Sequence, residues 1–141
     1  LNSEQPVAIL CEGLLMYLTL AEKQQVCANV REMLRFYGGV WITPDIITLE
    51  RLELVKDNPA MQQLYHAIAK NTGRLENPSS FETLTHAKQF FQEQGFQIQE
   101  SSLLEFIDEL TCLEPLGIAP DVVKPLLAAT PVFALTSVEE L

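Results

Sequence analysis

A chain of 141 residues is one domain by size and long enough to bury a sizeable core. Hydrophobic residues at 48% against charged residues at 20% argue for a folded globular chain and against disorder. Asp and Glu number 19 against 9 Lys and Arg, and the net charge of −10 repels phosphate backbones and anionic lipid, so neither nucleic acid nor a membrane is expected as a partner.

No apolar run approaches the roughly 20 residues that span a bilayer. The chain opens on polar residues, Asn2-Ser3-Glu4-Gln5, so no signal peptide is expected. The three cysteines, Cys11, Cys27 and Cys112, are odd in number and widely spaced, which suits a reducing, cytoplasmic setting better than a disulfide framework. No pair of them has metal-ligand spacing and only His66 and His86 could assist, so no metal site is expected. The first residue is Leu1 rather than Met, as in a fragment or a processed product.

Pro6 to Cys11 is a short, β-branched apolar run of the kind that forms a strand buried on both faces of a parallel sheet. Glu12-Gly13 breaks it, and an apolar turn follows through Leu18. Thr19 and Glu22 form a capping box that opens a helix. Its apolar stripe takes in Val26, Cys27, Val30 and Leu34, with Lys23, Gln24, Gln25 and Arg31 mostly outside it. Gly38-Gly39 ends the helix. A second strand, Val40 to Thr43, stops at Pro44-Asp45. Strand, helix and strand with tight links make a βαβ unit, whose strands run parallel with a right-handed crossover.

The middle of the chain predicts a helix from Thr48 to Lys56 and a second from Asn58-Pro59 to Gly73. Together they exceed what a plain crossover needs, so part of them reads as an insertion over the site. A loop covers Arg74 to Ser80. A helix then runs from about Thr83 to Gln94 with Leu84, Ala87, Phe90 and Phe91 facing inward. Phe96 to Glu100 alternates apolar and polar, as a strand with one wet face does. Ser102 and Glu105 form another capping box for a short helix through Leu110. Asp121 to Ala129 is helical with a bend near Pro125, and Pro131 to Thr136 is the last strand. The fold class is therefore α/β: about four strands, the first two parallel, the last two an antiparallel edge pair, with flanking helices in a single domain over 1–141.

The octapeptide Cys11-Glu12-Gly13-Leu14-Leu15-Met16-Tyr17-Leu18, followed by Thr19-Leu20-Ala21-Glu22, resembles the fourth-strand signature of the leucine carboxyl methyltransferase and polyketide O-methyltransferase family. Gly38 to Asp45 resembles the family's fifth strand, Gln94-Gly95-Phe96 the entry to its sixth, and Val132 to Thr136 its closing seventh. The order of elements agrees over nearly the whole chain, while the specific residue match lies in the first eighteen or so.

The resemblance implies a doubly wound, Rossmann-like domain that uses S-adenosylmethionine. The family's Gly-rich loop after strand one and its acidic residue after strand two have no counterpart here, since the glycines are Gly13, Gly38, Gly39, Gly73, Gly95 and Gly117. The chain thus reads as the C-terminal half of such an enzyme, expected to bind the cofactor weakly or not at all by itself.

Ligands of open α/β sheets bind beyond the carboxyl ends of the strands. Glu12 and Gly13 sit at that end of the first strand and, by the resemblance, hold a cationic or hydrogen-bonding part of the cofactor. Tyr17 and Asp45 are candidates to line the acceptor side. Methyl transfer from a sulfonium needs positioning above all, so the lack of a catalytic triad does not count against the reading.

A competing expectation is a non-catalytic module. The first strand would leave an unprotected apolar sheet edge, which pairs with a second copy or with a separate half of the protein, giving a homo-oligomer. An unrelated small α/β enzyme would need a nucleophile elbow or a P-loop, and neither motif occurs.

Overall fold

The protein is described by a computed structural model, which covers residues 5–73 and 80–138. The loop expected over Arg74 to Ser80 therefore lies almost wholly outside the described residues. The elements are β1 (Val7–Leu10), α1 (Leu20–Tyr37), β2 (Gly39–Thr43), α2 (Leu49–Val55), α3 (Pro59–Thr72), α4 (Leu84–Glu93), β3 (Phe96–Ser102), α5 (Pro120–Ala128) and β4 (Pro131–Ser137). Short 3-10 segments follow β1 at Leu15–Tyr17 and β3 at Leu103–Glu109.

The four strands form one mixed sheet in the order β1-β2-β4-β3. β1 and β2 are parallel, in register from Val7 opposite Gly39 to Leu10 opposite Ile42. β4 runs antiparallel to both β2 and β3, so β1, β2 and β3 share one direction. The local signals explain the ends of the elements. The Thr19–Glu22 box caps α1, with the Thr19 side chain accepting from the Glu22 amide and the Glu22 carboxylate accepting from the Thr19 amide. Asn58 caps α3 ahead of Pro59, and Gly73 closes it in the left-handed conformation. Ser102 and Glu105 form the second box, which opens a 3-10 segment rather than an α-helix.

One core lies on one face of the sheet. Cys27, Val30 and Leu34 of α1 and Ala87, Phe90 and Phe91 of α4 pack there onto Trp41, Phe96, Phe133 and Leu135. The rings of Trp41 and Phe91 meet edge to face at 5.8 Å, as do those of Phe91 and Phe133.

The opposite face is open. Ala8 and Leu10 are exposed, Leu10 at 76%, and Val40, Ile42, Val132 and Ala134 are half-buried. β1 is thus buried on one face only, not on both as its unbroken apolar run suggests, because α1 and α4 both pack on the side of Val7 and Ile9. The α1 stripe also differs from the sequence reading. Lys23 is buried at 3% exposure, since Lys23, Cys27, Val30 and Leu34 follow one helical row.

The chain between β2 and α4 makes an excursion with a closed neck. The Leu49 amide donates to the Phe81 carbonyl at 3.0 Å, and the Phe81 amide donates to the Ile47 carbonyl at 2.9 Å. This single parallel bridge, Thr48 opposite Phe81, brings the two ends of the excursion side by side. No helix among the described residues is long and apolar enough to cross a membrane.

Candidate functional site

The site is built where β1 ends. The backbone after Cys11 turns through Gly13, at φ +69, into the 3-10 segment that carries Tyr17. That turn points successive amides the same way, and without a partner each would be an unmet donor. Asp45, just past the end of β2, meets them. Its Oδ1 accepts from the Gly13 amide at 2.7 Å, and its Oδ2 accepts from the amides of Leu14 at 2.7 Å and Leu15 at 3.0 Å.

The parallel pairing of β1 with β2 brings Asp45 under this loop, 32 residues from Gly13 in sequence. The Asp45 amide is held in turn by the Thr43 hydroxyl at 3.1 Å. With 6% of its surface exposed, Asp45 stands behind the loop and shapes it.

Lys23 lies beneath the same carboxylate. Its ammonium sits 5.2 Å from the centre of the Phe81 ring, in the range of a cation–π contact. Burial pulls its pKa down from the usual value to about 8, and the negative charge of Asp45 partly offsets that fall. Cys11 donates a long contact to Asp45 Oδ2 at 3.9 Å. Its thiol is pushed up by burial first and by the Asp45 charge second, while the Leu15 amide and the Trp41 indole act the other way.

Glu12 and Gly13 are both exposed at the carboxyl end of β1. They face outward from the loop that Asp45 anchors. A Cβ added at Gly13 would meet nothing within 4 Å, so the backbone there is open to approach. Glu12 borders a pocket of about 310 Å³ whose walls are Ile9, Leu10 and Leu14 on the β1 side and Val26, Val30 and Trp41 on the other. The Trp41 indole N–H is buried beside the Cys11 thiol. The pocket lies along the free edge of β1, with Trp41 reaching it from β2.

Of the four residues singled out in the sequence, the structure joins Gly13 to Asp45 directly and leaves Glu12 beside them at the pocket mouth. Tyr17 is half-buried on the following turn, with no hydrogen bond to Glu12 or Asp45. Lys23 and Trp41 complete the group. Sequence reasoning passed over Lys23, although its place one helical turn before Cys27 was a signal. His66 and His86 are both exposed, and the His86 Nδ1 accepts from the Glu82 amide at 3.4 Å. Among the described residues no three His, Cys, Asp or Glu side chains gather where a metal ion could sit. Compared with protein families and with curated proteins, the chain matches none.

Proposed function

We propose that this chain is the C-terminal portion of an S-adenosylmethionine-dependent O-methyltransferase, which when complete methylates a hydroxyl or carboxylate of a small molecule or peptide. The observation that carries the reading is the position of Glu12. It is an exposed carboxylate at the carboxyl end of the sheet's free-edge strand, beside open glycine backbone. That is where an open α/β sheet binds ligands, and it falls within the octapeptide that resembles the methyltransferase signature.

Strand directions support the reading. With β4 set aside, β1, β2 and β3 run the same way in succession, as strands four, five and six of a doubly wound sheet do. The open apolar face and the free edge of β1 are what a half-sheet presents when helices and a strand from elsewhere complete it.

The residues present fit one wall of a cofactor site. Glu12 offers a carboxylate to a cationic or hydrogen-bonding group. Gly13 permits close backbone approach, and Trp41 lines the same pocket. Held there, S-adenosylmethionine would supply a sulfonium-activated methyl group for transfer to an acceptor oxygen. Glu12 and Gly13 bind and orient, Tyr17 borders the acceptor side, and Asp45 is a positioning residue that holds the loop from behind.

Translating the reading frame upstream of Leu1, and expressing the chain together with it, tests this. A glycine-rich strand–loop–helix is expected there. The extended protein should bind S-adenosylmethionine one to one by calorimetry, and Glu12→Gln should weaken binding about tenfold, or about 1.4 kcal/mol. An upstream frame without that unit, or binding indifferent to Glu12→Gln, would overturn the proposal.

A second reading, a non-catalytic module that assembles with copies of itself, is favoured by one specific observation. β1 is an edge strand with an exposed Leu10 and no charged residue between Val7 and Leu10.

A further inference from the structure

A second cavity, of about 370 Å³, lies beyond the same ends of the strands but away from Glu12. It forms where the two long connections of the fold meet. α2 enters it after β2, α5 enters it just before β4, and the last residues of β3 close the remaining side. Leu54, Leu84 and Pro125 give it an apolar body, and Glu50 and Glu100 are its charged residues.

Its hydroxyl groups take part in local hydrogen bonds. Thr48 Oγ1 accepts from the Arg51 amide at 3.2 Å and keeps its own O–H, while Ser102 Oγ donates to the Leu127 carbonyl and accepts from the Leu104 amide. Apart from the Thr48 O–H, the side-chain groups left to a ligand are carboxylates, which accept hydrogen bonds and cannot donate them. No basic residue lines the cavity. Lys88 makes an ion pair with Glu100 from outside it, while Glu50 has none among the described residues. A ligand that brings donors is met by these carboxylates, and any charge it carries is favoured when positive. A ligand carboxylate would meet like charge, screened by solvent because Glu50 and Glu100 are both exposed.

We infer that this cavity binds a small molecule with an apolar body and an amine-bearing head, and that it discriminates against carboxylic acids. The ligand's role as methyl acceptor rests on the O-methyltransferase reading; the ligand's chemistry rests on the cavity. On that reading the acceptor is narrowed to an amine-bearing alcohol or phenol and away from a carboxylate.

Three matched probes test the chemistry on the 141-residue chain without any cofactor: phenethylamine, 2-phenylethanol and phenylacetate. Titrations followed by amide chemical shifts are expected to perturb Glu50, Glu100 and their neighbours. Phenethylamine should bind about tenfold more tightly than phenylacetate at low salt, with the alcohol between, and added salt should narrow the gap. Glu50→Gln, at an exposed position, should cut that ratio at least about threefold with the circular dichroism spectrum unchanged. Glu100→Gln frees Lys88 and should raise phenylacetate binding. Equal binding of all three, tighter binding of phenylacetate, no binding by any, or a ratio indifferent to both substitutions overturns the inference. An amine preference in a chain whose extended form ignores S-adenosylmethionine sinks the methyltransferase reading and leaves the cavity standing. The converse result sinks the cavity alone.

Discussion

Asp45 is the residue on which the loop after β1 depends. Three backbone donors that a turn of this shape leaves pointing together are met by one buried carboxylate from the neighbouring strand. The arrangement also explains why a lysine is tolerated below it. The Lys23 ammonium is desolvated, yet it has the Asp45 charge and the Phe81 ring for company. Its pKa of about 8 lies below the usual 10.5, so above pH 8 the folded state sheds a proton that the unfolded chain keeps until about pH 10.5. Stability from this group therefore rises with pH across that window and is flat below it. Urea denaturation of the wild type and Lys23→Met at pH 7.5 and 10.5 should show the difference moving by up to about 3 kcal/mol in favour of the wild type. A difference that does not move would mean that Lys23 is not desolvated in the fold. Cys27 beside it in the row follows the same physics in the other direction, its thiol pushed up to about 12 by burial.

At the scale of elements, the joint between α1 and β2, and the seat of β1 beside it, turn on Gly39. The sequence reads Gly38-Gly39 as a helix stop, and Gly38 does stop α1, its amide donating to the Leu34 carbonyl at 2.8 Å. Gly39 has a different duty. It begins β2 at φ +113, and a Cβ there would stand 1.9 Å from the Val7 carbonyl oxygen. Gly95, at φ +84, would meet the flexible end of Arg31 at 2.8 Å. Gly39→Ala should therefore cost about 3 kcal/mol or more by forcing β1 off β2, and Gly95→Ala about 1 kcal/mol. Thermal melts of the two variants side by side check this, and equal losses would contradict the close approach.

The same contrast explains what was legible. The capping residues Thr19, Asn58, Thr83 and Ser102 could be read because each signal lies within four residues of the helix start it marks. The apolar alternation of β3 placed it as a strand, and its proximity to β4 in sequence paired them. The Asp45 clasp, the Thr48–Phe81 bridge and the second cavity join residues 30 or more positions apart, and no local pattern encodes them.

Seen whole, the molecule is a sheet with α1 and α4 packed on one side and exposed or half-buried apolar residues on the other. Ala8, Leu10, Val40 and Ile42 form a patch continuous with the unpaired edge of β1, and a net charge of −10 opposes its association with anything equally acidic. The self-assembly reading requires that patch to win. It then predicts a light-scattering mass that grows with concentration, is favoured by salt, and falls to the monomer value in Leu10→Lys, whose exposed position tolerates the charge. A wild-type mass that stays monomeric at high concentration removes this reading.

The bridge between Thr48 and Phe81 has a further consequence. Because the two ends of that excursion touch, everything between them is a cassette whose length and composition can change without altering where α4 begins or how the strands align. α2, which walls the second cavity, belongs to the cassette, whereas Glu12, Gly13 and Asp45 do not. The wall that α2 gives the second cavity is thereby free to drift across descendants of this chain while the clasp under the β1 loop is held constant.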